Sequence, residues 1–130
     1  MHKVIKNIAF ISWPVTDMER AVIFYKNLFR VDPIFQQSDW AEFKIQDQRL
    51  ALHLEPSMTC TASTPRSTLY FGATSIEVSV EKLKTRGISF EEPIQVFPYG
   101  KLIRFKDPDG NLLGLYEASS KIEVPNTSLK

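Results

Sequence analysis

Apolar residues near the start of the chain repeat at two different periods, and each period predicts an element. Met18, Ala21, Val22, Tyr25, Leu28 and Phe29 follow one another at steps of 3, 1, 3, 3 and 1, the spacing of one helix face, while Glu19, Arg20 and Lys26 fall elsewhere. Thr16 and Glu19 precede that face as a T-x-x-E capping box, so a helix is predicted over 17–29. Ahead of it, Asn7 to Val15 is rich in Ile, Phe and Trp and meets Pro14 near its end, the composition of a strand running into a turn. Behind it come three short runs: Pro33 to Gln37, Trp40 to Ile45 with period-two alternation, and Leu50 to Leu54 after a tight connection at Gln46 to Gln48. The order is strand, helix and three strands.

The second half repeats the plan. Thr16, Met18, Glu19, Val22 and Tyr25 are answered 58 positions later by Thr74, Ile76, Glu77, Val80 and Leu83. The last strands match at an offset of 62, with Leu50, Leu54 and Glu55 answered by Leu112, Tyr116 and Glu117. The extra residues fit in the Glu91 to Gly100 loop, where added length costs roughly a few tenths of a kcal/mol. The fold class is therefore α+β, with two tandem βαβββ modules over about 4–56 and 66–118, a Ser/Thr/Pro-rich linker at 57–65 and a polar tail at 119–130. One helix covers one face of a four-stranded sheet, so the paired modules are expected to form a curved mixed sheet whose other faces line a shared cleft, the default place for a ligand. A turn at F-K-D-P-D-G-N-L-L-G-L-Y-E, Phe105 to Glu117, anchors the second module: Pro108 suits the second position of a type I turn and Gly110 the left-handed position that closes it.

Composition narrows the function classes. At 130 residues the chain is one domain in size, and its 16 basic and 15 acidic residues are interspersed, which argues against a nucleic-acid partner. No signal-peptide pattern and no apolar stretch long enough to span a bilayer are present, so a cytoplasmic protein without a membrane partner is expected. Cys60 is the only cysteine, which excludes an intramolecular disulfide, and among Ser, Thr and Pro it reads as an inert loop thiol; His2 reads as a terminal residue without a role. There is no Walker loop, G-x-G-x-x-G, H-E-x-x-H or G-x-S-x-G, so phosphate, hydride and acyl-transfer chemistry have no motif behind them. Asp107 and Asp109 stand in the turn and are expected to bond their own backbone rather than act as a catalytic pair.

The paired modules, the V-T-D-M-E-R-A-V-I-F-Y-K-N-L-F segment at 15–29, L-K-T-R-G-I at 83–88 and F-K-D-P-D-G-N-L-L-G-L-Y-E together resemble the glyoxalase, bleomycin-resistance and extradiol-dioxygenase superfamily, also called vicinal oxygen chelate, over about 5–118. In metal-dependent members, four His, Glu or Gln ligands come from the first and last strands of each module. The resemblance places these on Phe10, Leu52, Thr68 and Gly114, none a usual metal ligand, so no metal and no cofactor is expected. A register shift of one would exchange Leu52 for His53; the reading keeps His53 on the opposite face of its strand, because the shift would also move Leu52 and Leu54 off the cleft. The resemblance also implies a homodimer, which would cover sheet edges.

Strand alternation then assigns faces, anchored on the family's ligand positions. Ser12 joins Phe10, Leu50 and Leu54 join Leu52, Tyr70 joins Thr68, and Leu112 and Tyr116 flank Gly114. With Ala41, Phe43 and Ile45 directed under the helix, Trp40, Glu42 and Lys44 face the cleft; Ile103 and Phe105 likewise leave Leu102, Arg104 and Lys106. Gly114 is expected to leave open space near the floor. The candidate ligand-binding set is Phe10, Ser12, Trp40, Glu42, Leu52, Thr68, Tyr70, Arg104, Gly114 and Tyr116. Its aromatic members can stack on a planar or cationic ligand or simply fill the interior. Glu42 and Arg104 can orient polar groups, act in catalysis with Glu42 as a base, or form a mutual ion pair. Two functions are expected: a metal-independent small-molecule-binding protein with an apolar or planar ligand, or an enzyme such as a glyoxalase-I-like lyase or isomerase with displaced metal ligands. The near-neutral charge sets the chain apart from the strongly acidic bleomycin binders.

Overall fold

Each helix begins where a short polar side chain takes up a backbone N–H that the helix itself leaves free. In the computed structural model, which describes residues 4–56 and 67–119, α1 (Met18–Phe29) is capped by Asp17, whose carboxylate accepts from the Arg20 N–H at 3.0 Å. Its counterpart α2 (Ile76–Thr85) is capped by Ser75. Both caps fall one residue after the threonines that the sequence pattern favoured. Thr16 is engaged elsewhere: its N–H donates to Asp109 Oδ1 at 3.1 Å, and its hydroxyl donates to the same atom. Cys60, His2, the 57–65 linker and the tail beyond 119 lie outside the described residues.

The strands are β1 (Ile11–Val15), β2 (Phe35–Gln36), β3 (Trp40–Ile45), β4 (Gln48–Leu54), β5 (Thr68–Gly72), β6 (Gln95–Phe97), β7 (Gly100–Lys106) and β8 (Leu112–Ala118). They form two four-stranded mixed sheets of the same design, ordered β1-β4-β3-β2 and β5-β8-β7-β6, with the first strand of each running parallel to the last. The α+β class and the tandem βαβββ order stand as expected. β1 is shorter than the expected 7–15, and Val4, Ile5 and Ile8 ahead of it are largely exposed.

Contacts divide the chain into two units. The first holds β1, α1 and β2 to β4 together with Pro108–Asn111, and its core is Val15, Tyr25, Phe43 and Leu52, all fully buried. Tyr25 and Phe29 on α1 meet Phe43 on β3 with ring centroids 6.2 and 5.7 Å away. Burying a side chain of this kind contributes about 1.5–3 kcal/mol. The second unit holds the remaining elements, with Ile76 of α2 and Leu113 of β8 fully buried. There the N–H of Ile76, in the first turn of α2, donates to Glu117 Oε1 at 2.8 Å.

The turn that anchors the repeat has Gly110 at φ 85°, in the left-handed region as expected. Asp109, however, does more than bond its neighbours. Its Oδ1 accepts from Thr16 and from Arg20 Nη2 at 3.0 Å, and its side chain is only 3% exposed. Asn111 adds a bond from Nδ2 to the Pro14 carbonyl at 2.8 Å. These residues belong to the first unit and fix the entry to α1.

Candidate functional site

Strand pairing decides which side chains share the face that a helix leaves bare. In the first sheet Trp40 pairs with His53, Glu42 with Ala51 and Lys44 with Arg49, whereas Ala41 pairs with Leu52 and Phe43 with Leu50. The fully buried Ala41, Phe43 and Leu52 lie under α1, so Trp40, Glu42, Ala51 and His53 lie on the opposite, open face. Ser12, paired with Ala51, joins them through β1.

Two expectations are thereby corrected. Leu52, together with Leu50 and Leu54, belongs to the covered face, and His53 faces outward. The repeat offset for the last strands is 63 rather than 62, since Ser12 pairs with Ala51 where its counterpart Tyr70 pairs with Gly114. Arg49-Leu50-Ala51-Leu52-His53-Leu54-Glu55 alternates between polar or small and large apolar residues, and this period-two signal gives the correct register. The match of Leu50 and Leu54 with Leu112 and Tyr116 is a coincidence of residue type at an offset the strand pairing does not keep.

The open face of the first unit is a connected set of rings and polar groups. Phe10 meets the edge of Trp40 at 5.8 Å and 89°, and Trp40 stacks on His53 at 6.2 Å and 29°. Trp40 Nε1 donates to Glu42 Oε2 at 2.8 Å, while Arg49 Nη2 lies 3.2 Å from Glu42 Oε1 with its guanidinium over the Phe10 ring at 6.0 Å. Ser12 Oγ lies 2.6 Å from His53 Nδ1, and His53 Nε2 lies 3.3 Å from Glu55 Oε2. Glu42 therefore pairs with Arg49 within the first unit, and Arg104 Nη2 lies 3.5 Å from Glu92 Oε2 within the second. Arg49 and Glu55 are not among the expected site residues, although the 49–55 alternation gives both the same parity as Ala51 and His53.

In the second unit, the pairs Thr68 with Leu112, Tyr70 with Gly114, Arg104 with Gly114 and Leu102 with Tyr116 put Thr68, Tyr70, Arg104, Gly114 and Tyr116 on one face. Gly114 is not a hole: a Cβ placed on it would lie 2.5 Å from Tyr70 Cε1 and 2.9 Å from the Ile103 carbonyl oxygen. The Tyr70 ring lies directly over the missing side chain. Tyr116 is likewise committed, its hydroxyl donating to the Tyr99 carbonyl at 2.9 Å. A separate cavity of about 270 Å³ near α2 is lined by Glu77, Glu81, Lys84, Phe90 and Glu92 among others and contains none of the candidate residues. Its charges are already paired, Glu77 with Lys101, Glu81 with Lys84 and Glu92 with Arg104.

Residues 7–115 match the model of the glyoxalase/bleomycin resistance protein/dioxygenase superfamily. The chain belongs to that superfamily. It is 33% identical over 119 residues to the metallothiol transferase FosB of Shouchella clausii, covering 86% of this chain and 80% of that protein. Among solved structures, a glyoxalase family protein from Enterococcus faecalis superposes with a TM-score of 0.75 at 23% identity, covering 86% of this chain and 98% of the other. A bleomycin-binding protein complexed with bleomycin gives 0.68 at 21%, covering 88% and 100%. These two likenesses establish the fold.

Within this superfamily chain, the positions that the resemblance assigns to metal ligands become Phe10, Ala51, Thr68 and Gly114 once the register is corrected. Three of them carry no donor atom, and Gly114 is covered by a phenol ring. Among the described residues, no three His, Cys, Asp or Glu side chains stand close enough to share an ion. The donor set at these positions does not fit a divalent cation. No described helix is long and apolar enough to cross a membrane.

Proposed function

We propose that this superfamily member is a metal-independent small-molecule-binding protein that holds an apolar or planar ligand against the rings of its first sheet. The observation that carries the reading is the cluster of Phe10, Trp40 and His53 on the face α1 leaves bare, with Phe10 still 38% exposed. Rings held in place by neighbours offer a stacking platform that loses little entropy when a ligand settles on it. Glu42 is already engaged by Trp40 and Arg49, so the face presents no spare carboxylate there for a cationic drug. A planar, uncharged or weakly acidic compound suits it better.

The identity with a metallothiol transferase favours a second reading, an enzyme of the same superfamily whose metal is held by residues other than the four strand positions. Two measurements separate the readings. A thermal-shift screen of planar aromatic compounds, followed by calorimetry on Trp40→Ala, should show stabilisation that the variant loses. Metal analysis of protein purified without chelator should find less than stoichiometric zinc, manganese, nickel or iron; a full equivalent would overturn metal independence. The exposed Val4, Ile5 and Ile8 support a homodimer in which a second copy covers them. Sedimentation showing only monomer at micromolar concentration would contradict that part.

A further inference from the structure

Ser12, His53 and Glu55 form a relay on the open face that neither the ligand reading nor any motif in the sequence accounts for. The geometry points to Ser12 as a nucleophile, activated by His53 and oriented by Glu55, that takes the acyl group of small carboxylic esters whose aromatic portion rests on Trp40 and Phe10.

The arrangement follows from pairing in β1 and β4. Ser12 stands beside Ala51, His53 follows two residues along the same face, and Glu55, just past the end of β4, brings its carboxylate to His53. Glu55 Oε2, 3.3 Å from Nε2, favours the tautomer with its proton on that nitrogen. Nδ1 is then left with a lone pair, and Ser12 Oγ lies 2.6 Å from it, the reach of a general base. Trp40 stacked on the imidazole holds its plane. Such a constellation is defined by geometry and roles rather than by a local motif, so the absence of G-x-S-x-G does not exclude it.

The second module supplies an internal control. Its residues equivalent to Ser12, His53 and Glu55 are Tyr70, Tyr116 and Ala118, and there the Tyr116 hydroxyl bonds the Tyr99 carbonyl instead. The same strand pairing thus closes without a relay. The polar chain in the first module is not a requirement of the sheet.

In the reaction, the Ser12 hydroxyl proton passes to His53 Nδ1 as its oxygen bonds to the acyl carbon. The imidazolium so formed lies against the Glu55 carboxylate. The bond from the acyl carbon to the alkoxy or phenoxy oxygen breaks, and that oxygen leaves with the electron pair; the imidazolium gives its proton to an alkoxy leaving group, or to water where a stable phenolate departs, and is neutral again. Water then attacks the acyl-Ser12 ester, giving its proton to His53 as Oγ departs, and His53 returns a proton to Oγ. No oxidant, reductant or metal enters. His53 is 31% exposed, so water reaches it.

This inference rests on the open face of the ligand reading, but acylation and ligand binding are scored separately and either can fail alone. The full chain is treated with p-nitrophenyl acetate, release of p-nitrophenolate is followed, and the acylated residue is mapped by peptide mass spectrometry. One acetyl group per chain on Ser12 is expected, absent in Ser12→Ala and slowed about 10²- to 10⁴-fold in His53→Gln. Glu55→Gln should slow it by a smaller factor, and Ser12→Cys should keep the label at position 12. Acetylation confined to lysines or the N-terminus, or an unchanged rate in Ser12→Ala, would overturn the assignment. Should Ser12→Ala fail to fold, mapping on the unmutated chain decides by itself.

Discussion

Gly114→Ala tests whether the position that resemblance gives to a metal ligand is open or filled. The new methyl carbon would sit 2.5 and 2.6 Å from Tyr70 Cε1 and Cδ1 and 2.9 Å from the Ile103 carbonyl oxygen. Carbon atoms are comfortable at about 3.5–4.0 Å, so the ring must retreat by roughly 1 Å. Tyr70 is 38% exposed and has room to swing outward, but the carbonyl belongs to the β7–β8 ladder and cannot follow. Overpacking of this kind costs about 1–3 kcal/mol. Replacing glycine returns about 0.4–1 kcal/mol through the unfolded chain, leaving a net loss of about 1–2 kcal/mol. Urea denaturation of wild type, Gly114→Ala, Tyr70→Ala and the double variant measures it. If the ring is the obstacle, alanine at 114 costs less when Tyr70 is gone, with a coupling on the order of 1 kcal/mol. Strict additivity, or a stabilising Gly114→Ala, would refute the contact. The same contact implies that Gly114→Glu displaces Tyr70 before it can offer a carboxylate to any ion.

Leu52→Ala should cost about 2–5 kcal/mol, because Leu52 is fully buried under α1, whereas a residue on the ligand face would cost far less; chemical denaturation distinguishes the two. Asp109→Ala should cost about 2 kcal/mol, since it strips the acceptor from the Thr16 N–H and hydroxyl, with Arg20 adding little from its half-exposed position. A change in melting temperature too small to resolve would contradict it. The hydrogen bond between Lys101 Nζ and Glu77 Oε2, 2.7 Å long, holds the Glu77 carboxyl below and the Lys101 ammonium above their ordinary pKa values. The Glu77 contribution is therefore present above the ordinary carboxylate value and lost as pH falls through its lowered one. The Lys101 contribution is present below the ordinary lysine value and lost as pH rises through its raised one. The Glu77 side chain is 56% and the Lys101 side chain 34% exposed, so solvent screens the pair and the effect should be visible by NMR titration, with Lys101→Ala returning Glu77 upward, and barely in stability.

The fold was legible because its signals are redundant. The helical steps from Met18 to Phe29, the 58-residue repeat and the D-P-D-G-N turn each point to the same βαβββ order, so an error in one is outvoted. The open face had no such redundancy. A single residue of register separates Leu52 from His53, and two signals in the sequence disagree about it: the repeat match at Leu50 and Leu54 points to Leu52, the alternation from Arg49 to Glu55 to His53. Gly114 misled for a different reason: a missing side chain reads as empty space in a sequence, and only the Tyr70 ring across the β5–β8 pair shows that it is filled. Side chains that reach across strands, such as Ser12 to His53, leave no trace in local spacing.

The stretch from Phe105 to Glu117 illustrates why fold signals and chemical signals separate. Asp109 takes the Thr16 N–H ahead of α1, Asn111 holds the Pro14 carbonyl, and Glu117 takes the Ile76 N–H at the start of α2. One hairpin thus satisfies donors at both helix entries, groups that a helix cannot satisfy from within. None of these bonds depends on what occupies position 114. The stretch can keep its form while the residue in its middle changes from a ligand to a seat for a tyrosine ring, because its helix-holding groups point to the covered faces and its turn. The residues that meet solvent on the first sheet's open face, Trp40, His53 and Glu55, lie elsewhere in the chain. A match to this stretch therefore fixes where the helices start, and the chemistry has to be read from the strands whose alternate residues face outward.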